Sequence, residues 1–77
     1  MSAAFPPLTC KDVKRILKNL GFEFVKQQGS HEKWRKTVAE HRWNVTVDCP
    51  KAPFSAILIA SMASQAGVSK KAFYKAL

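Results

Sequence analysis

The residues with the clearest chemistry lie in one short stretch, residues 28–35, which reads Gln-Gly-Ser-His-Glu-Lys-Trp-Arg. Gly29-Ser30 is a turn signal between two runs that can each form a strand, so it predicts a hairpin. His31 follows the turn directly, and histidine is the side chain that exchanges protons near neutral pH. Lys33 and Arg35 come after it at alternate positions. A proton-transfer group beside cations that attract phosphate indicates a nucleic-acid site. Such a site is also a candidate for catalysis.

Strand alternation predicts where these side chains point. In the clearest strand, residues 42–48, apolar and polar residues alternate, which gives one apolar and one polar face. If Trp34 points into the core, Glu32 and Lys36 share its side and reach water near the strand ends. The opposite, open face then collects these side chains: His31, Lys33, Arg35, Asn44 and Thr46.

The first strand follows the same alternation. Phe22 and Phe24 are predicted to be core residues there. The polar side of this strand would then hold Glu23, Val25 and Gln27.

Hydrophobic periodicity and capping residues predict the order of the elements. We expect helices over 10–20, 56–66 and 70–77, strands over 22–27, 31–36 and 42–48, and a loop over 37–41. Thr9, Ser55 and Ser69 are the predicted helix caps. This is an α+β, two-layer domain of order α-β-β-β-α with a short C-terminal helix, the topology of a double-stranded-RNA-binding fold. Residues 1–8 are expected to be a flexible lead-in, and residues 9–77 a single domain.

Apolar residues of the second long helix are spread around it rather than held to one stripe. Ile57, Leu58, Ile59 and Met62 show this pattern. Such a helix must be covered on more than one side, either by the sheet and the first helix or by a partner chain. Phe73 and Leu77 are expected to pack in the last helix.

Composition narrows the class of partner. Thirteen Lys and Arg against five Asp and Glu give a formal charge of +8, which points to an anionic partner such as nucleic acid, an acidic protein or a membrane surface. The uncharged run 52–69 is too polar and interrupted for a membrane span. Without a basic n-region or a long apolar run, the N-terminus is not a secretory signal, so we expect a cytoplasmic protein.

Two cysteines, Cys10 and Cys49, form no CxxC pair and do not make a disulfide scaffold, so reduced thiols without a function are expected. With His31 and His41 they offer four potential zinc ligands, none at a familiar metal spacing. Neither a metal site nor a cofactor is therefore predicted.

The motif and the element order resemble a known family. Leu20-Gly21-Phe22 after the first helix, followed by the run from Val25 to Trp34 with its Gln-Gly-Ser-His core, is similar to the HicA toxins of bacterial toxin–antitoxin pairs. Val45-Thr46-Val47 resembles the third strand of that family. The C-terminal helices match around Ile57-Leu58, Gln65–Ser69 and Phe73. The resemblance covers roughly residues 10–77.

The resemblance implies a metal-independent endoribonuclease that cleaves mRNA and is held inactive by a HicB antitoxin. The catalytic histidine of the family falls on His31. RNA supplies its own nucleophile, the ribose 2′-OH, and a histidine can take or give the proton that this attack requires. Whether His31 acts as base or as acid stays open at this point.

Further residues are candidates for holding RNA. Lys33 and Arg35 beside His31, with Lys26 in the first strand, can hold the phosphate. Gly29 and Ser30 can bring backbone amides close to it. A non-catalytic RNA-binding module with the same face is the alternative, and a basic face on the first helix is a second possible RNA contact.

Overall fold

The computed structural model describes residues 6–77 of the chain. Its elements are α1 (Cys10–Asn19), β1 (Glu23–Gln28), β2 (His31–Val38), β3 (His41–Asp48), a 3-10 turn (Cys49–Lys51), α2 (Ala56–Ala66) and α3 (Lys70–Lys75). The strands form one antiparallel sheet in the order β1-β2-β3. The predicted α+β fold and its α-β-β-β-α order with a short C-terminal helix are therefore confirmed.

Capping residues set the helix ends as the sequence predicts. At the start of α1, the Asp12 backbone N–H donates to the Thr9 hydroxyl (3.1 Å) and the Thr9 N–H donates to the Asp12 carboxylate (3.3 Å), which makes a capping box. At the start of α2, the Ser55 hydroxyl accepts a hydrogen bond from the Leu58 backbone N–H (3.4 Å). Gly67 ends α2 in the left-handed conformation, with φ at 77°.

The core lies between the sheet and the helices. α1 and α2 both pack against β3. The buried hydrophobic residues are Leu8, Val13, Ile16, Leu17, Phe22, Trp34, Val45, Val47, Phe54, Ile59, Met62, Ala63, Ala66 and Phe73. Ile59 and Met62 are covered by the rest of the domain, whereas Ile57 is 81% exposed. Within residues 6–77, no helix has both the length and the apolar character that crossing a membrane requires.

Both ends of the described chain differ in part from expectation. Leu8, predicted to belong to the flexible lead-in, is buried and forms an isolated β-bridge with Phe54. The rest of that predicted lead-in falls largely on residues 1–5, which lie outside the described residues. At the other end, Phe73 packs as predicted, but Leu77 is 47% exposed. Burial raises the pKa of the Tyr74 hydroxyl, which donates a hydrogen bond to the Pro6 carbonyl (2.6 Å).

The hairpin of β2 and β3 is tighter than predicted. We expected a loop over 37–41, but the ladder continues to the Val38–His41 pair. The turn is only Ala39-Glu40, and Ala39 has a φ of 54°. Such turns are usually marked by Asn or Gly, which supply positive φ at little cost. Here alanine takes that conformation, so the sequence carries no turn signal at this point.

A β-bulge in β1 overturns part of the predicted alternation. Phe24 pairs with Trp34 and Lys26 pairs with Lys33, so Val25 is the extra residue. Phe24 does lie on the Trp34 side, where the two rings meet edge to face at 5.8 Å. It is nevertheless 51% exposed rather than core. Beyond the bulge the parity reverses, and Gln27 pairs with Glu32 on the Trp34 side instead of the open side.

The expectation of reduced, separate cysteines is wrong. Cys10 at the start of α1 and Cys49 after β3 form a disulfide, with their Cα atoms 5.2 Å apart. The pair is separated by 39 residues in sequence, and closing a loop of that length stabilises a small domain by about 3–4 kcal/mol in the chain-entropy model. The two cysteines show neither a CxxC spacing nor a dense cysteine pattern, so the sequence does not predict this disulfide.

Gly67→Ala is predicted to destabilise the fold more than Gly29→Ala. Both positions have positive φ, at 77° and 59°. A Cβ at Gly67 would lie 2.6 Å from the Trp43 ring, whereas nothing lies within 4 Å of one at Gly29. We expect losses of about 2–5 kcal/mol for Gly67→Ala and about 1–2 kcal/mol for the control Gly29→Ala, measured by urea unfolding. Equal losses would mean that the Trp43 ring does not limit the space at Gly67.

Candidate functional site

Cross-strand register brings the predicted catalytic and basic residues to one face. Arg35 pairs with Asn44, Lys33 with Thr46, and His31 with the last residue of β3, Asp48. Paired residues point to the same side of a sheet. Trp34 is buried on the other side, so the predicted separation of the two faces of β2 is confirmed. We call this side the open face: His31, Lys33, Arg35, Asn44, Thr46 and Asp48.

The bulge adds Lys26 to the open face. Simple alternation from Phe22 and Phe24 would turn Lys26 toward the helices. The extra residue at Val25 shifts the register, so that Lys26 lies directly opposite Lys33. Lysines directly opposite one another in a sheet repel. The fold thus gathers cations around His31 at some cost in stability.

His31 is held by a carboxylate that the sequence reasoning did not find. Its Nε2 lies 3.3 Å from Asp48 Oδ2, and the His31 side chain is 56% exposed. The Ser30 hydroxyl donates to the other oxygen of Asp48 at 2.9 Å. Asp48 therefore bridges the two polar residues of the Gly-Ser-His motif. Ser30 is predicted to contact RNA, and in the structure its hydroxyl is hydrogen-bonded to Asp48 of this site.

The Gly29 turn and Arg35 are fixed by local hydrogen bonds. The Gln27 amide donates to the Gly29 carbonyl at 2.9 Å, which steadies the turn before His31. Arg35 Nε donates to Asn44 Oδ1 at 2.9 Å. This bond uses the Nε–H of the guanidinium and does not involve its terminal nitrogens.

Glu32 does not reach water as expected. It is 7% exposed on the core side of β2. Lys14 of α1 forms an ion pair with Glu32 Oε2 at 2.8 Å, and Trp34 Nε1 donates to Oε1 at 3.3 Å. A carboxylate in this position needs such partners, because an unpaired buried charge is costly. Lys14 is thereby partly withdrawn from the basic face of α1.

One group of potential metal ligands comes together in the described part of the chain. Atoms of Cys10, Glu32 and Cys49 lie within 4.8 Å of one another. Sulfurs bonded to each other offer no thiolate, which is the form that binds metal. Glu32 is then the one anionic ligand there, and it already pairs with Lys14.

A pocket of about 190 Å³ opens beside the His31–Asp48 pair. The open face forms one wall and α2 forms the other, since the Gln65 side chain reaches the edge of β3. There Gln65 Oε1 accepts a hydrogen bond from the Thr46 backbone N–H at 3.1 Å. We refer to it as the flanking pocket, lined by His31, Thr46, Asp48, Lys51, Phe54, Leu58, Ser61, Met62 and Gln65.

His41, the other histidine, lies at the far end of the hairpin. It pairs with Val38, and its ring lies 4.2 Å from that of Trp43. The structure therefore separates the two histidines. Asp48 was missed as a partner of His31 because its position depends on the hairpin register.

Fold and site together define a small basic α+β domain that presents a carboxylate-bound histidine on an open, cation-rich sheet face. The model of the family described as HicA toxin of bacterial toxin-antitoxin matches residues 10–68. The chain therefore belongs to the HicA toxin family, and it is the toxin of a toxin–antitoxin pair. Searches of the curated proteins and of the solved structures found no match. Membership in this family implies an antitoxin partner.

Proposed function

We propose that this toxin is an endoribonuclease that cleaves mRNA in the cytoplasm without a metal, and that a HicB-like antitoxin neutralises it. The observation that carries the proposal is the His31–Asp48 pair on the open face (Nε2 to Oδ2, 3.3 Å). Family membership supports the role as a toxin. The formal charge of +8 supports an RNA substrate, since phosphate contacts dominate affinity for nucleic acids.

His31 is proposed as the general base. With Nε2–H donating to Asp48, a neutral imidazole keeps the lone pair on Nδ1 for a substrate proton. Nδ1 removes the proton of the ribose 2′-OH, and the 2′-oxygen forms a bond to phosphorus. The bond from phosphorus to the 5′-oxygen breaks, and that oxygen takes a proton from solvent. The products are a 2′,3′-cyclic phosphate and a 5′-OH.

Asp48 acts as a positioning residue in this scheme. Its carboxylate sets the tautomer and the direction of the imidazole, and it stabilises the imidazolium formed after proton transfer. The Ser30 hydroxyl bond at 2.9 Å orients that carboxylate in turn. Ser30 thus serves His31 through Asp48, and its backbone, with that of Gly29, stays available to a phosphate.

The cations of the open face are proposed to hold the scissile and neighbouring phosphates. Lys33 and Lys26 supply two close positive charges. Arg35 presents the terminal nitrogens of its guanidinium, while Asn44 fixes the Nε edge. These groups stabilise the extra negative charge that develops on the non-bridging phosphate oxygens during attack.

The same surface gives a physical reason for control by an antitoxin. A partner that covers the open face blocks His31 and offsets the repulsion between Lys26 and Lys33. An acidic surface is complementary to these cations. The proposed HicB-like antitoxin therefore competes directly with RNA.

His31→Ala is expected to lower RNA cleavage by about 10²–10⁴-fold and to leave RNA binding largely intact, because it removes proton transfer alone. His41→Ala is the matched control, since that histidine contacts Trp43 at the far end of the hairpin, away from the open face. Cleavage of a labelled RNA and filter binding measure the two effects. Full cleavage by His31→Ala would exclude the proposed base. RNA binding by the wild-type protein without any cleavage would instead identify an RNA-binding module.

Asp48→Asn is expected to lower kcat by about tenfold or more with little change in KM, because the loss falls on the orientation of His31 rather than on RNA binding. The double variant His31→Ala/Asp48→Asn should then be no slower than His31→Ala. Single-turnover and steady-state cleavage measure these values. Additive losses in the double variant would show that Asp48 acts independently of His31.

Lys26→Ala and Lys33→Ala should each weaken RNA binding and reduce the salt dependence of log K by about one unit of slope, as expected for a phosphate contact. Lys71→Ala, an exposed position on α3, is the control that keeps the full slope. Fluorescence anisotropy at several salt concentrations measures this slope. If Lys26→Ala keeps the wild-type slope, the bulge does not serve RNA binding.

A further inference from the structure

The flanking pocket has a shape and chemistry that the proton-transfer scheme does not use. Its floor is apolar, with Phe54 and Met62 buried and Leu58 half-buried. Ser61 and Gln65 form a polar wall, also on the α2 side. The pocket thus combines an apolar floor with a polar side.

The polar wall has a defined orientation. Gln65 Oε1 is committed to the Thr46 backbone N–H at 3.1 Å. This bond fixes the plane of the amide, and its NH₂ group takes no part in it. The hydroxyl of Ser61 can donate or accept. Lys51 adds a positive charge to the lining.

We propose that the flanking pocket binds the base of a nucleotide next to the scissile phosphate. This inference rests on the endoribonuclease function proposed above. A base has apolar faces and an edge of donors and acceptors, which match the apolar floor and the polar wall. Single-stranded RNA is commonly read by turning bases out of the stack into such sites.

Size and position favour a single base. Pockets for drug-sized ligands occupy about 300–1,000 Å³, whereas this one measures about 190 Å³. His31 and Asp48 belong to its wall, so a base held here places its own ribose and phosphate at the imidazole. Lys51 is suited to the phosphate of the same nucleotide.

The test compares RNA oligonucleotides that are identical except for an abasic ribonucleotide, which keeps its 2′-OH, on either side of the cleaved bond. For the wild-type protein, loss of the base at the pocket position should lower kcat/KM between about 5-fold and about 150-fold, the range expected for one bound base. Ser61→Phe fills the pocket from α2, so the ratio of kcat/KM for the intact RNA to kcat/KM for the abasic RNA should fall to near one. Ser64→Phe, at an exposed position of α2 outside the pocket, should keep the wild-type ratio.

A second variant tests the polar wall without filling the pocket. Gln65→Glu keeps an oxygen for the Thr46 N–H but replaces the NH₂ donor with an acceptor. We expect a changed order of preference among the four bases at the pocket position. Ser64→Glu carries the same added charge outside the pocket and should keep the wild-type order.

The outcomes separate this inference from the proposed function. Wild-type protein that cleaves no RNA overturns the endoribonuclease, and the pocket proposal with it. Wild-type protein that cleaves, with equal ratios of intact to abasic substrate in Ser61→Phe and Ser64→Phe, overturns the pocket alone. Ser61→Phe that keeps the wild-type ratio but escapes neutralisation by the antitoxin would assign the pocket to that partner, which also overturns the proposal.

Discussion

The pairing of β2 with β3 is the constraint on which the site depends. The tight turn at Ala39-Glu40 pairs Val38 with His41, and the same register continues along the hairpin to His31 and Asp48. One more residue in the turn would shift the ladder and move Asp48 away from the imidazole. The unusual φ of 54° at Ala39 is therefore part of the geometry that gives His31 its carboxylate. His31 and Asp48 are far apart in the sequence, and the register of the hairpin brings them together.

The bulge in β1 has a different effect. It reverses the face of the sheet on which the later residues of β1 lie, while β1 stays paired with β2. Phe24 and Trp34 remain paired on the helical side, and one inserted residue turns Lys26 to the open face beside Lys33. Repulsion between the lysines opposes this arrangement in the isolated domain. An anion bound across them removes the repulsion. In the free protein the two lysines repel each other, and a bound polyanion would neutralise their charges.

The sequence was sufficient where a signal is local. Thr9, Ser55 and Gly67 fixed helix ends within a residue or two because capping is a property of a few neighbouring residues. Alternation placed His31 opposite the buried face of Trp34 for the same reason. The failures concern registers and long-range pairs. The turn at Ala39-Glu40 lacks Gly or Asn, so the register that pairs His31 with Asp48 was not predicted. The bulge reverses the faces of the later residues of β1, and the disulfide joins cysteines that are 39 residues apart. None of these has a local composition that marks it.

Two connections from α1 support the His31–Asp48 pair from the opposite side of the sheet, and they explain why Glu32 is buried. Cys49 follows Asp48 directly in the chain and is bonded to Cys10 at the start of α1. Glu32 follows His31 directly and pairs with Lys14 one turn further along the same helix, at 2.8 Å. Each member of the pair on the open face therefore has a neighbour anchored to α1 on the other face. If the pair acts on RNA as proposed, its geometry must be held before the substrate arrives, and α1 supplies that support to both strands.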